Sequence, residues 1–312
     1  MQRFNDSPQA ALGFLVSQTS HIESEVYKIK YPDITYSELI PIDTTAGQWA
    51  TSVTYYSMDG AGKAAWINGA SRDIPMVDTS REKHETEVSM AGIGYQYNIQ
   101  ELNQARMLGQ NLSSDRAAVA RRAYEEYVED VAFNGDAPKG FSGLFSHPSV
   151  TAVAAPNGVS GTATWATKTP DEILKDVNDT LSGVYTGSNT VELADTLLLP
   201  EPQYLLIATK RLDSQAMITI LDWVRKNNVY TVKTGRELTI RGQRQLINKG
   251  AGATARMVAY RRDPTVVKMH LPMALTFLAP QQVIFNFVVP GMFRIGGVDV
   301  RYPKAFRYLD GI

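Results

Sequence analysis

The chain contains no cysteine in 312 residues. That absence excludes disulfides, thiolate metal sites and thiol catalysis together. It also lacks an excess of either charge: 31 Lys plus Arg stand against 32 Asp plus Glu, a formal net charge of −1. No basic surplus announces a nucleic-acid binder, so contact with a polyanion has to be local or weak. No run approaches about 18 consecutive apolar residues, and no charged stretch followed by an apolar one opens the chain, so a soluble, non-secreted protein without membrane contact is expected. Histidine is scarce: His21, His84, His147 and His270 lie far apart with no ligand-like spacing. No metal and no cofactor is expected.

What is present is a chain long enough for two domains, or for one with large excursions. Residues 1–45 hold Pro32, Pro41 and scattered aromatics without a sustained period, as an arm lying on a partner surface would. In TSVTYYSMDGAGKAAWINGA the pair Asp59-Gly60 sits between β-prone segments containing Val53, Tyr55, Trp66 and Ile67. This predicts a projecting hairpin turning at Asp59-Gly60; limbs of about ten residues would reach roughly 33 Å. In ETEVSMAGIGYQYNI the apolar alternation Val88, Met90 shifts phase before Ile93, Tyr95, Tyr97, Ile99, which predicts a long strand with a bulge at Ala91-Gly92. A short helix near 100–108, ended by Gly109, precedes a long one over 113–133, capped by Ser113 or Ser114 with Asp115 in its first turn. Ala120, Tyr124, Tyr127, Val128 and Val131 form its apolar stripe, and Arg121–Glu125 and Arg122–Glu126 are i,i+4 pairs on its wet face.

The helix runs into AFNGDAPKGFSGL and a Gly/Pro/Thr-rich stretch. Thr169 then caps PDEILKDVNDTLSGVY, with Pro170 at its first position. TLLLP reads as a buried strand, EPQYLLIATKRL and SQAMITILDWVRKN as helices, LTIRGQRQLI and MVAYRRD as strands around the loop KGAGATAR. The last forty-odd residues are β-rich and punctuated by proline.

Candidate chemistry falls away on inspection. GAGK at 60–63 lacks both the earlier glycine and the following Ser or Thr of a phosphate loop. GFSG at 140–143 and GVSG at 158–161 each lack the last glycine of a nucleophile elbow. Glu125, Glu126, Glu129 and Asp130 share one helix, whereas paired catalytic carboxylates converge from several segments; they read as a solvated or interface-facing charged face. KGAGATAR at 249–256 reads as a loop between strands, His147-Pro148 and His270 as turn residues, and His84 as exposed.

The order of arm, hairpin, long helix, inserted α/β unit and returning β-rich end resembles the major capsid proteins of tailed bacteriophages, the Hong Kong 97-like fold shared with encapsulins. AFNGD followed by KGFSGL carries the nearest likeness, with KYPDITYSELIPIDTTAG, ELADTLLLP, TILDWVRKNN and GGVDVRYPKAFRYLDGI in matching order. The resemblance implies an α+β fold with an N-terminal arm at 1–45, an extended loop at 46–84, a peripheral domain at 85–168 and 270–312 built on a spine helix, and an axial domain at 169–269. It implies a non-enzymatic protein that joins copies of itself as hexamers and pentamers into an icosahedral shell around double-stranded DNA, made in the bacterial cytoplasm and residing in the virion. A portal, a decoration protein and a separate scaffolding protein are implied partners; the start at Met1 gives the expectation that no scaffolding segment precedes the arm. Expected inter-subunit contacts are Tyr55, Tyr56, Lys63, Trp66 and Arg72 in the loop, and Arg121, Arg122, Glu125, Glu126 and Glu129 on the helix. Some relatives form Lys–Asn isopeptide cross-links, for which Lys63 would be the loop candidate. The alternatives are an encapsulin shell and, from another class, a soluble α/β hydrolase.

Overall fold

The computed structural model of the chain describes residues 31–66, 76–108, 112–213 and 217–312. Residues 34–312 form one compact unit. A single helical turn, Tyr36–Leu39, leads into strand β1 (Ile42–Asp43). Strands β2 (Ser52–Ala61) and β3 (Asp78–Glu87) form a hairpin, and β4 (Ser89–Asn98) continues from β3 after a break at Val88. A short helix, Ile99–Leu108, and the long helix Leu112–Asn134 follow. Next come β5 (Gly135–Asp136), β6 (Phe141–Ser142) and β7 (Ala152–Ala154), then the helix Pro170–Gly187. Strand β8 (Thr196–Pro200) is followed by helices Glu201–Thr209, Ile220–Lys226 and Val229–Thr234. The remaining strands are β9 (Thr239–Gln243), β10 (Arg256–Tyr260), β11 (Val267–His270), β12 (Met273–Phe277), β13 (Gln281–Val283), β14 (Asn286–Ile295), β15 (Val298–Val300) and β16 (Phe306–Asp310).

A five-stranded sheet in the order β7-β16-β10-β8-β9 is the centre of the molecule. Thr196-Leu-Leu-Leu-Pro200 and Arg256–Tyr260 are buried along their whole length, as strands covered on both faces must be. Alternation sorts their side chains into two cores. Leu198, Val258, Tyr260 and Tyr308 meet Tyr124, Val128 and Val131 of the long helix. Leu197, Leu199, Met257 and Leu309 meet Ile173, Val177, Leu181 and Val184 of helix Pro170–Gly187. That helix starts as its sequence predicts: Thr169 accepts from the Glu172 amide, and Glu172 accepts from the Thr169 amide.

Other expectations need correction. Asp59 and Gly60 pair with Ser80 and Thr79 inside the ladder, which continues to Ala61↔Asp78, so the hairpin does not turn at Asp59-Gly60. The long strand carries no bulge at Ala91-Gly92: β4 pairs with β14 without interruption from Ser89↔Ile295 to Asn98↔Asn286. The phase shift belongs to Val88, buried at the joint between β3 and β4, while Met90 faces outward. Gly92 and Gly94 are small because a Cβ there would sit 3.0 Å from the Gly291 and Val289 carbonyl oxygens. The long helix begins at Leu112, one residue ahead of Ser113. Residues 220–226 form one short helix and 229–234 a second, in place of one continuous helix near 214–227.

Candidate inter-subunit surfaces

The hairpin is a two-stranded ladder of ten pairs, from Ser52↔Glu87 to Ala61↔Asp78. Near its base Tyr55 stacks on His84 at 4.8 Å, and the Arg301 guanidinium lies 4.4 Å above the Tyr55 ring. Ser57 Oγ and His84 Nε2 are 2.9 Å apart, so His84 is engaged at the ladder surface. Burial there raises the Tyr55 phenol above its ordinary range, with Asp299 adding to the effect. Tyr55 is thus held within its own subunit. Farther out, Tyr56 is 68% and Met58 66% exposed, and Trp66 is fully exposed. Lys63 is exposed on the connection 62–77, whereas Arg72 lies outside the described residues.

The long helix turns Ala120, Tyr124, Val128 and Val131 inward. Tyr127, expected in that stripe, is only partly covered and rests edge-on against Phe293, 5.8 Å between ring centres. Arg122 and Glu126 form the expected pair at 2.8 Å. Glu125 instead accepts from the Tyr36 hydroxyl at 2.9 Å, leaving Arg121 exposed. Burial and this carboxylate push the Tyr36 phenol well above its ordinary range. Glu129 departs further from expectation. It is buried, accepting from the Thr35 amide at 2.8 Å and the Thr35 hydroxyl at 3.2 Å, with Arg244 at 3.8 Å. A carboxylate so placed fastens segments of one chain and is not part of a wet face.

Between β4 and the helix runs an apolar groove lined by Ile93, Tyr95, Val119, Ala120 and Ala123. Arg116 closes one end, donating to the Gln96 carbonyl and to Glu101 with its guanidinium 4.8 Å above the Tyr97 ring. At the other end of the helix the chain doubles back. The Leu144 and Phe145 amides donate to the Ala132 and Phe133 carbonyls, and the Phe133 and Phe145 rings stack 4.6 Å apart. This return is possible because Gly135 adopts φ +76° and because a Cβ on Gly143 would lie 2.4 Å from the Phe133 oxygen. The FNGD-to-GL passage is therefore a steric clasp.

One cluster escaped the sequence reading. His270, expected in a turn, is in β11 with no exposed surface, between Asp43 of β1 and Asp299 of β15. Lys268 donates to Asp43, as does the Thr45 hydroxyl at 2.6 Å. Burial opposes the Asp43 charge, but these bonds outweigh it and hold the carboxyl well below the usual range. Asp299 is also lowered: burial opposes its charge, and His270 and Arg301 outweigh it. The Asp43–Lys268 partners are 225 positions apart, so no local motif announces them. Among the described residues there is no group of three or more His, Asp or Glu placed to hold a metal ion, and no helix long and apolar enough to cross a membrane.

The same architecture occurs in solved capsids. The capsid of Myoviridae phage XM1 superposes with a TM-score of 0.79 at 21% identity, over 95% of this chain and 98% of that one. Microbacterium phage Oxtober96 gives 0.63 at 12% identity over 98% and 99%. The capsid of an empty GTA particle gives 0.58 at 12% identity over 99% of each chain. The fold is therefore the mixed helix-and-sheet Hong Kong 97-like capsid fold. No curated protein matches in sequence. The family model "Major capsid protein" matches residues 62–312. The chain belongs to the major capsid protein family.

Proposed function

We propose that this protein is the structural subunit of an icosahedral phage shell, assembling as hexamers and pentamers around double-stranded DNA and performing no catalysis. The observation that carries the reading is the hairpin: ten residue pairs long, with Tyr56, Met58 and Trp66 left bare. A lone two-stranded ladder is marginal in water, so it needs another surface. A neighbouring copy supplies one in a head-to-tail contact, and such contacts close into rings when the rotation permits. Each subunit then touches several others, and modest pairwise affinities accumulate.

In this reading residues 1–45 are the arm, 46–84 the extended loop, and 85–168 with 270–312 the peripheral domain around the spine helix. Residues 169–269 are the axial domain, whose sheet is completed by β7 and β16. Tyr56, Lys63, Trp66, Arg121 and Glu126 are the residues offered to neighbours; Glu129 serves inside the subunit. The near-neutral charge suits a wall that meets packaged DNA only weakly. Any scaffold is a separate protein, and the particle is made in the host cytoplasm.

Sedimentation velocity with detection at two wavelengths, about 260 and 280 nm, tests this. A megadalton boundary is expected, its absorbance ratio reporting nucleic acid in a phage shell or protein cargo in an encapsulin-like one. A single 34.4 kDa species at every concentration, in extracts of producing cells as well as after purification, would overturn the shell reading.

A further inference from the structure

The strap 35–45 sends Tyr36, Leu39 and Ile40 into one core, whereas the hairpin of β2 and β3 contributes to neither. The strap is fastened at several points. Thr35 is bonded to Glu129 at 2.8 Å, the Leu39 carbonyl accepts from Tyr260 at 2.8 Å, and Asp43 lies in parallel register with His270. The hairpin is held at its base through Tyr55 and Arg301, 4.4 Å apart.

These two anchorages belong to one file of side chains. Asp43 Oδ2 is 3.6 Å from His270 Nδ1, and His270 Nε2 is 3.5 Å from Asp299 Oδ2. The same Asp299 oxygen accepts from Arg301 Nε at 3.2 Å, and Arg301 lies over Tyr55, which stacks on His84 at 4.8 Å. Strap, β11, β15 and hairpin thus contribute successive members. The middle of the file is buried: His270 is fully enclosed and Asp299 is 8% exposed, so water screens these two only weakly from each other. It also has slack. His270 Nδ1 is a buried nitrogen without a hydrogen-bond partner, standing just beyond bonding distance of Asp43. A small shift of the imidazole toward the strap would close that gap and lengthen the contact with Asp299, which is already at the limit of a hydrogen bond.

We propose that the file Asp43–His270–Asp299–Arg301–Tyr55 couples the seating of the strap to the seating of the hairpin, so that loosening either one loosens the other. Physically, Asp299 and Arg301 are shared. When Tyr55 leaves Arg301, the guanidinium loses one face of its site and its grip on Asp299 slackens. His270 then follows Asp299 and not Asp43. The converse runs from Asp43 outward. A neighbour that captures the hairpin therefore changes how firmly the strap is held. The coupling is a property of one subunit, so it stands or falls independently of whether shells form.

Amide exchange on the full chain tests it, with wild type and variants compared in the same assembly state. Tyr55→Leu removes the ring beneath Arg301 at a partly exposed position. The reporters are the Leu271 amide, bonded to the Asp43 carbonyl at 3.0 Å, and the Thr45 amide, bonded to the Asp43 side chain at 3.0 Å. Both should exchange roughly 2- to 30-fold faster, the range of coupling through packed networks. Tyr56→Leu, on the opposite face of the same strand, should leave them unchanged. Reciprocally, Asp43→Asn should speed exchange of the hairpin-base Val88 amide, bonded to the Thr51 carbonyl at 2.9 Å. Unaltered Leu271 and Thr45 exchange in Tyr55→Leu, or equal acceleration by Tyr56→Leu, would overturn the coupling.

Discussion

Lys168 Nζ lies 2.5 Å from Asp176 Oδ2, and the two side chains are 1% and 2% exposed. The Trp165 indole donates to the same oxygen at 2.9 Å, so a single carboxylate pins the 158–168 loop to helix Pro170–Gly187. Removing one partner strands a buried charge. Lys168→Met should therefore lower the unfolding free energy by about 3–5 kcal/mol. Lys168→Met combined with Asp176→Leu should recover part of this, the remainder reflecting the orphaned indole N–H. Urea unfolding of both variants decides; equal losses would show that the charge is not the cause.

The glycine clasp predicts a sharp positional contrast. Gly143→Ala forces a Cβ to within 2.4–2.5 Å of backbone atoms of Phe133, Asn134 and Gly135, which cannot yield without unwinding the helix end. A loss of about 3 kcal/mol or more is expected. Gly187→Ala, with no atom in its way, should be neutral or stabilising. Thermal melts of the two variants make the comparison.

Excising 57–82 and joining Tyr56 to Lys83 through Asn-Gly leaves the base of the ladder intact, because these two residues are register partners. The shortened chain should keep its cores and its far-ultraviolet dichroism but form no shell. Wild-type particle yield from it would show that the hairpin does not serve a neighbour.

Tyr260 is fully enclosed and donates to the Leu39 carbonyl at 2.8 Å, and burial holds its proton far above the ordinary phenol range. Its folded value is raised, so its stabilising effect is complete below the unfolded value of about 10 and declines as pH rises beyond it. Tyr260→Phe should cost about 1 kcal/mol near neutrality for the lost hydrogen bond. Above pH of about 10 its stability should fall less steeply than wild type, by up to about 1.4 kcal/mol per pH unit. Parallel alkaline limbs would contradict the assignment.

Legibility followed the range of the interaction. The Thr169 cap, the buried Thr196–Pro200 strand and the Arg122–Glu126 pair are local, and the sequence displays each of them. The hairpin's existence was visible in its β-prone limbs, but Asp59-Gly60 offered a tight-turn signal that ten cross-strand pairs override. Helical spacing alone could not separate Glu129 from Glu126. One meets Thr35, which is 94 positions away, while the other meets its neighbour one turn back. Leu271-Pro272 after His270 is a local turn signal, whereas the neighbours that enclose His270, Asp43 and Asp299, arrive from opposite ends of the chain. Among the proposed contacts, the exposed ones were readable as surface; the Tyr55 and Glu129 anchors required the fold.

The strand order of the central sheet bears on how the subunit is made. β16 lies between β7 and β10, so the interior of the sheet is filled by the last of its five strands to leave the ribosome. Until then β7 has no partner, one edge of β10 is open, and both cores lack Tyr308 and Leu309. The hairpin at 52–87 emerges much earlier, with both strands available well before Arg301, which anchors its base, has been made. A nascent chain thus carries its reaching element long before it has a finished body. Translation itself orders the two events.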